Sequence, residues 1–166
     1  TYNPEYVDGD ELTELGWDIM LASQYTNKVT TKDNVRDSYF VALAICYRDE
    51  IEALDKTAPD YNKKLTEILN RTDDETIQKV EAIMHEIDEN IYGYETDTGK
   101  ADIVSGKIWL NFAWSGDAVY AMDLAEAGED EEGNETQSTI LDFFIPEECA
   151  NLWFDGWVMP KGANRQ

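Results

Sequence analysis

Lys107-Ile108-Trp109-Leu110-Asn111-Phe112-Ala113-Trp114 is a nearly continuous apolar run, and Ser115-Gly116-Asp117 follows it at once. Gly106 stands before the run. Such a run predicts a strand buried on both faces, the kind found in sheets covered by helices on each side. The small, polar Ser115-Gly116-Asp117 triplet turns that strand into a helix, with Ser115 as an N-cap and a helix end near Ala127-Gly128. A strand passing directly into a helix is the unit of an α/β layer.

The rest of the chain agrees with that unit. Thr1-Tyr2-Asn3 reads as a β-type opening before a polar stretch at Asp8-Gly9-Asp10. Residues 11–25 predict a short amphipathic helix with Leu12, Leu15 and Ile19 on one face, and Val29-Thr30-Thr31 a brief strand. From Asn34, the spacing of Val35, Tyr39, Leu43 and Cys46 predicts a helix. Pro59 opens another, with Tyr61, Leu65, Ile68 and Leu69 apolar, and Asn70-Arg71-Thr72 breaks it. Asp73-Asp74 caps a further helix from about Glu75 to Ile91, striped by Ile77, Val80, Ile83, Met84 and Ile87. Ile140–Ile145 and Leu152–Met159 read as further strands. The expected fold is α/β, a central mixed sheet flanked by helices, with residues 48–92 as an added helical excursion. One domain, 1–166, is expected.

Composition narrows function. With 166 residues, 42% of them hydrophobic, the chain can bury one real core. Thirty-six acids against 13 basic side chains give a formal net charge of −23, which repels nucleic acid and anionic membrane surfaces. A cationic ligand is welcome in such a field, although acidity also serves solubility alone. No apolar run approaches the roughly 20 residues of a membrane span. Two cysteines, Cys46 and Cys149, make no disulfide scaffold, and the lone His85 lies in a helical pattern without metal-ligand neighbours. No metal or cofactor is expected. The block Glu129–Asn134 lacks the acid spacing of a calcium loop and reads as a charged surface turn. Asn70-Arg71-Thr72 and Asn134-Glu135-Thr136 fit the glycosylation triplet, a pattern common by chance. The start at Thr1 and the stop at Gln166 read as those of an excised piece.

Three constellations carry candidate chemistry. Trp114 closes the apolar run and Asp117 stands in the next helix's first turn. Asp117 there complements the helix dipole, and equally an indole face and a carboxylate stand at the carboxyl end of a strand, where α/β sheets bind ligands. In Leu152-Trp153-Phe154-Asp155-Gly156-Trp157, strand alternation would put Trp153 and Asp155 on one face. A carboxylate among aromatics needs a partner, either a neighbouring donor or a cationic ligand. In Asp33-Asn34-Val35-Arg36-Asp37, Asn34 caps a helix with Asp37 three residues on, and Asp37 is also another acid at a strand's end. Carboxylates for ammonium groups and indole faces for methylenes suit a slender amine. Trp-plus-Asp sites also hold sugars, and paired acids also serve hydrolases. No Ser-His-Asp or Cys-His system and no phosphate-cradling glycine loop is present.

Trp114-Ser115-Gly116-Asp117-Ala118, Ile145-Pro146-Glu147-Glu148 and the block Leu152 to Lys161 together resemble the spermidine/putrescine-binding proteins of bacterial ABC importers. The likeness extends to Asp33–Asp37, to Tyr2-Asn3 and to Trp17-Asp18, and covers most of the chain outside 48–92 and 128–138. It implies one lobe, the second, of a type II periplasmic-binding-protein fold that holds ligand between two closing lobes. It further implies that Trp114 and Trp153 stack on a polyamine, that Asp117 and Asp155 meet its ammonium groups, and that Asp37 takes a further amine. Asn34 stands where some relatives carry an acid, which removes one charge from that set. The partners implied are a polyamine, the first lobe of the same chain and an ABC permease, outside the cytoplasm. A receptor of the same fold for another small cation or a sugar, or an acidic hydrolase, are the competing readings.

Overall fold

A computed structural model describes residues 1–163. Its centre is β1 (Val29–Lys32), four consecutive buried residues with β2 (Gly93–Glu95) on one side and β3 (Leu110–Asn111) on the other. Both pairings are parallel, with Thr30 opposite Gly93 and Asn111, and Lys32 opposite Glu95. Tyr2 adds antiparallel bridges to Leu110 and Asp142, so the β3 edge is mixed in direction. The expected α/β sheet between helices is what forms.

Local signals set the helices. α1 (Gly9–Leu15) starts where the Asp8 carboxylate accepts from the Asp10 N–H. It does not continue to residue 25 as expected. Gly16, at φ +55° and ψ −128°, breaks it, and the chain goes on in tight turns over Gly16–Leu21 and Ser23–Tyr25. α2 (Val35–Cys46) is capped by Asn34, whose side-chain oxygen accepts from the Arg36 and Asp37 N–H groups. After the short α3 (Arg48–Glu52) and α4 (Tyr61–Ile68), Asp73 caps α5 (Asp74–Asn90). α6 (Gly99–Val104) precedes β3, and α7 (Ser115–Ala127) ends at Gly128 in the left-handed conformation. Ser115 is the first helical residue of α7. Trp114 takes the cap position and supplies no side-chain bond to the helix N-terminus, which corrects the expected Ser115 cap.

Residues 48–92 are built into the centre. Ile51, Ile68, Val80 and Ile87 lie in the same buried cluster as Trp17, Leu43 and Leu110, and α5 packs along α2. A second cluster, Ile103, Val104, Ile108, Ala121, Ala125 and Leu141, joins α6 to α7.

The strand expectations need correction. Of Lys107–Trp114 only Leu110 and Asn111 join the ladder. β3 keeps bonding register only with Val29 and Thr30 of β1, and the flanking aromatics go elsewhere. Trp109 stacks on Tyr6 at 4.8 Å, and Phe112 packs edge-on to Trp17. Within 140–145 only Asp142 bridges, to Tyr2. Leu152–Met159 forms no strand and is exposed throughout. The shared-face argument for Trp153 and Asp155 therefore lapses, because alternation has meaning only along a strand.

Candidate functional site

Because the strands run parallel, their carboxyl ends lie on one side of the sheet, and the buried charged residues Lys32, Asp37 and Glu95 lie at or just beyond those ends. Lys32 ends β1 and is 1% exposed. Its ammonium donates to Glu95 Oε1 at 2.9 Å, to the Thr96 carbonyl at 3.0 Å and to Asp117 Oδ2 at 3.3 Å. The same nitrogen stands 4.6 Å from the centre of the Trp114 ring, within cation–π range. The other Glu95 oxygen accepts from the Gly99 N–H. A Cβ at Gly99 would fall 2.5 Å from Asn111 Nδ2 and 2.7 Å from Glu95 Cδ, so a larger residue there would displace the Glu95 carboxylate. A buried charge of this kind survives only when every partner is present, and here they are.

Asp117 is shared between two lysines. Its second oxygen accepts from Lys100 Nζ at 3.3 Å. Burial works against the Lys100 ammonium, but the hydrogen bonds and charges of Asp117 and Asp97 outweigh it and hold Lys100 above the ordinary lysine pKa.

Asp37 has different company. It lies buried in the first turn of α2, where Trp114 Nε1 donates to Oδ2 at 3.0 Å and Asn151 Nδ2 to Oδ1 at 3.3 Å. Both donors are neutral, and among the described residues no lysine or arginine pairs with it. Next to it, the Ser38 hydroxyl donates to the Lys32 carbonyl at 2.6 Å, fixing α2 to the end of β1.

A cleft of about 390 Å³ opens beside this carboxylate. Asp37, Trp114, Asn151 and Trp153 line it together with apolar groups such as Phe112 and Met122. Asp123 also reaches its wall, from an exposed position on α7. The structure thus brings together three of the six residues singled out from sequence. Asn34 is exposed, occupied with capping α2, and borders a separate hollow of about 290 Å³ beside Tyr39 and Tyr94. Asp117 sits behind Trp114 in its lysine pair, and Asp155 is exposed on the irregular segment beyond Trp153. Neither lines the cleft.

Sequence reasoning missed Lys32, Glu95, Lys100 and Asn151. One signal was available for the first: a lysine closing a strand whose other residues are all buried needs a carboxylate at the neighbouring strand's end. Nothing in the spacing says that this carboxylate is Glu95, 63 residues on.

The cysteines stand apart from the site. Cys46 and Cys149 are both free thiols. The Cys149 carbonyl accepts from Trp17 Nε1 at 3.0 Å, and burial, with the Glu148 charge beside it, pushes its thiol up to about 12. His85 is exposed on α5. No helix among the described residues is long and apolar enough to cross a membrane.

Comparison with solved structures finds the spermidine/putrescine ABC transporter substrate-binding protein PotD from Streptococcus pneumoniae, crystallised with calcium and HEPES. The TM-score is 0.54 at 18% sequence identity, a likeness that shows a shared fold. It takes in 74% of this chain and 31% of that one, so the chain spans about a third of the length of its structural relative. Among curated proteins no match is found. The family model of bacterial extracellular solute-binding proteins, by contrast, matches residues 1–166 from end to end. That full-length match leads to one conclusion: the chain belongs to the bacterial extracellular solute-binding protein family.

Proposed function

We propose that this chain is one lobe, the second, of a two-lobed receptor that captures a polyamine-type amine outside the cytoplasm and delivers it to an ABC permease, performing no chemistry itself. The observation that carries the reading is the pairing of a buried carboxylate, Asp37, with the indoles Trp114 and Trp153 in one mainly apolar cleft. An ammonium gains a charge-assisted hydrogen bond at Asp37, and the methylene chain gains apolar contact along the indoles. The net charge of −23 favours approach of a cation. Family membership and the likeness to PotD support solute capture and the extracytoplasmic setting. In this reading Asp37, Trp114 and Trp153 make the first contacts. Asn34, at the separate hollow, and Asp155, exposed beyond Trp153, stand outside these contacts, and Asp117 is taken up by Lys32 and Lys100.

Calorimetry on the complete receptor, titrated with spermidine and with putrescine, tests the assignment. One-to-one binding without turnover is expected, and Asp37→Asn should weaken it at least tenfold, since the charge-assisted bond is worth roughly 1.5–3 kcal/mol. Heat with a neutral sugar and none with either amine would overturn the ligand class. Product formation from the bound ligand would overturn the receptor reading.

A further inference from the structure

Trp114 and Asp117 already hold an ammonium, and it is the protein's own. The Lys32 nitrogen lies 4.6 Å from the Trp114 ring centre and 3.3 Å from Asp117 Oδ2, the two contacts an amine ligand would seek from that pair. Glu95 and the Thr96 carbonyl complete its three hydrogen bonds, the full capacity of an ammonium. Lys100 takes the remaining Asp117 oxygen. Asp117 therefore has no charge to spare, and one face of the indole is occupied. On the cleft side the buried acid is Asp37, with only neutral donors on it among the described residues, and Asp123 stands at the solvent rim, where an ion pair is worth little.

We propose that Lys32 is a specificity-determining residue of this cleft: its ammonium fills the cation position beside Trp114 and Asp117, so that this lobe grips one ligand ammonium, at Asp37, and gives a second no buried carboxylate. The inference rests on the amine reading of the cleft and refines it. Lys32 acts without touching the ligand, by neutralising Asp117 and covering one face of Trp114. An ordinary buried ion pair would affect stability alone. A filled cation position also sets which amine is preferred, and that preference is what the experiment reads.

The complete receptor is titrated with putrescine, which carries two ammonium groups, and with n-butylamine, which carries one on the same carbon chain. In Lys32→Ala combined with Glu95→Gln, the position is vacated and no buried carboxylate is stranded. The affinity ratio of putrescine to n-butylamine is expected to rise at least tenfold over wild type, and a smaller rise overturns the proposal. Asp117→Asn supplies an arm that does not depend on the double variant folding, because Lys32 keeps Glu95. Putrescine affinity there should fall less than threefold while Asp37→Asn loses tenfold or more. A tenfold loss in Asp117→Asn would show that Asp117 meets the ligand directly and overturn the role given to Lys32. Amine binding with an unchanged ratio removes the Lys32 proposal alone, whereas wild type binding neither amine removes the amine reading and this refinement with it.

Discussion

Tyr25 is sealed at 4% exposure, with its hydroxyl donated to Glu11 Oε2 at 2.5 Å, and Gln24 donates to the other oxygen of the same carboxylate. Burial, then the hydrogen bond and charge of Glu11, push the phenol up to about 12 from its ordinary value of 10. Cys149 moves the same way, from 9 to about 12. A folded-state pKa raised above the unfolded one means that the fold holds its proton more tightly. That stabilisation is fully present below the unfolded value and is lost as pH rises through the folded one. Urea unfolding midpoints should thus fall steadily from about pH 9 to about pH 12. Tyr25→Phe should make the decline shallower between 10 and 12, the range set by Tyr25's two values. An unchanged slope in that variant would refute the assignment.

At the level of the element, the junction after α1 is the sharpest test of how the cleft wall is held. Gly16 sits at φ +55° and ψ −128°, a region that side chains other than glycine's enter at a cost. A Cβ there would lie 2.0 Å from Glu148 Oε1, the oxygen that accepts from the Trp17 N–H at 2.7 Å. Trp17 in turn donates its indole N–H to the Cys149 carbonyl. One glycine therefore lets residues 148–149 dock on the core, and Ala150, Asn151 and Trp153, the next cleft-lining residues, follow directly in the chain. Gly16→Ala should destabilise by about 2–4 kcal/mol, the sum of backbone strain and a lost charge-assisted bond. Urea denaturation measures it, and a change below about 1 kcal/mol would show that Glu148 moves aside freely.

Over the whole molecule the acid excess dominates. At −23 the chain repels itself, and that repulsion is screened as the Debye length shrinks from about 10 Å at 0.1 M salt to about 3 Å at 1 M. The melting temperature should rise between low and high sodium chloride. The affinity for a cationic ligand should fall over the same range, because the field that favours the cation is screened together with the repulsion. Calorimetry and thermal scans on one sample series check both. A melting temperature indifferent to salt would mean that screening weakens ion pairs such as Arg48–Asp18 and Arg71–Glu50 as much as it relieves the repulsion.

Signals that act over a few residues were legible in the chain itself. Asn34 and Asp73 accept from the N–H groups two or three positions on, and Gly128 ends α7, because capping is a local matter of backbone conformation and side-chain reach. The α/β alternation and β1 followed from the same short-range patterns, as did Asp37 and Trp114 as neighbours of a strand's end. Strand extent did not follow, since a strand exists only where a partner backbone lies in bonding register, and that placement is tertiary. The apolar run at 107–114 pairs with β1 only at Leu110 and Asn111, and 152–159 forms no strand. The charge state of the site was equally a tertiary matter. Composition showed an excess of acids, but only the fold, by bringing Lys32, Glu95, Lys100 and Asp117 together from four separate elements, decided which carboxylate is neutralised and which stays open to the cleft.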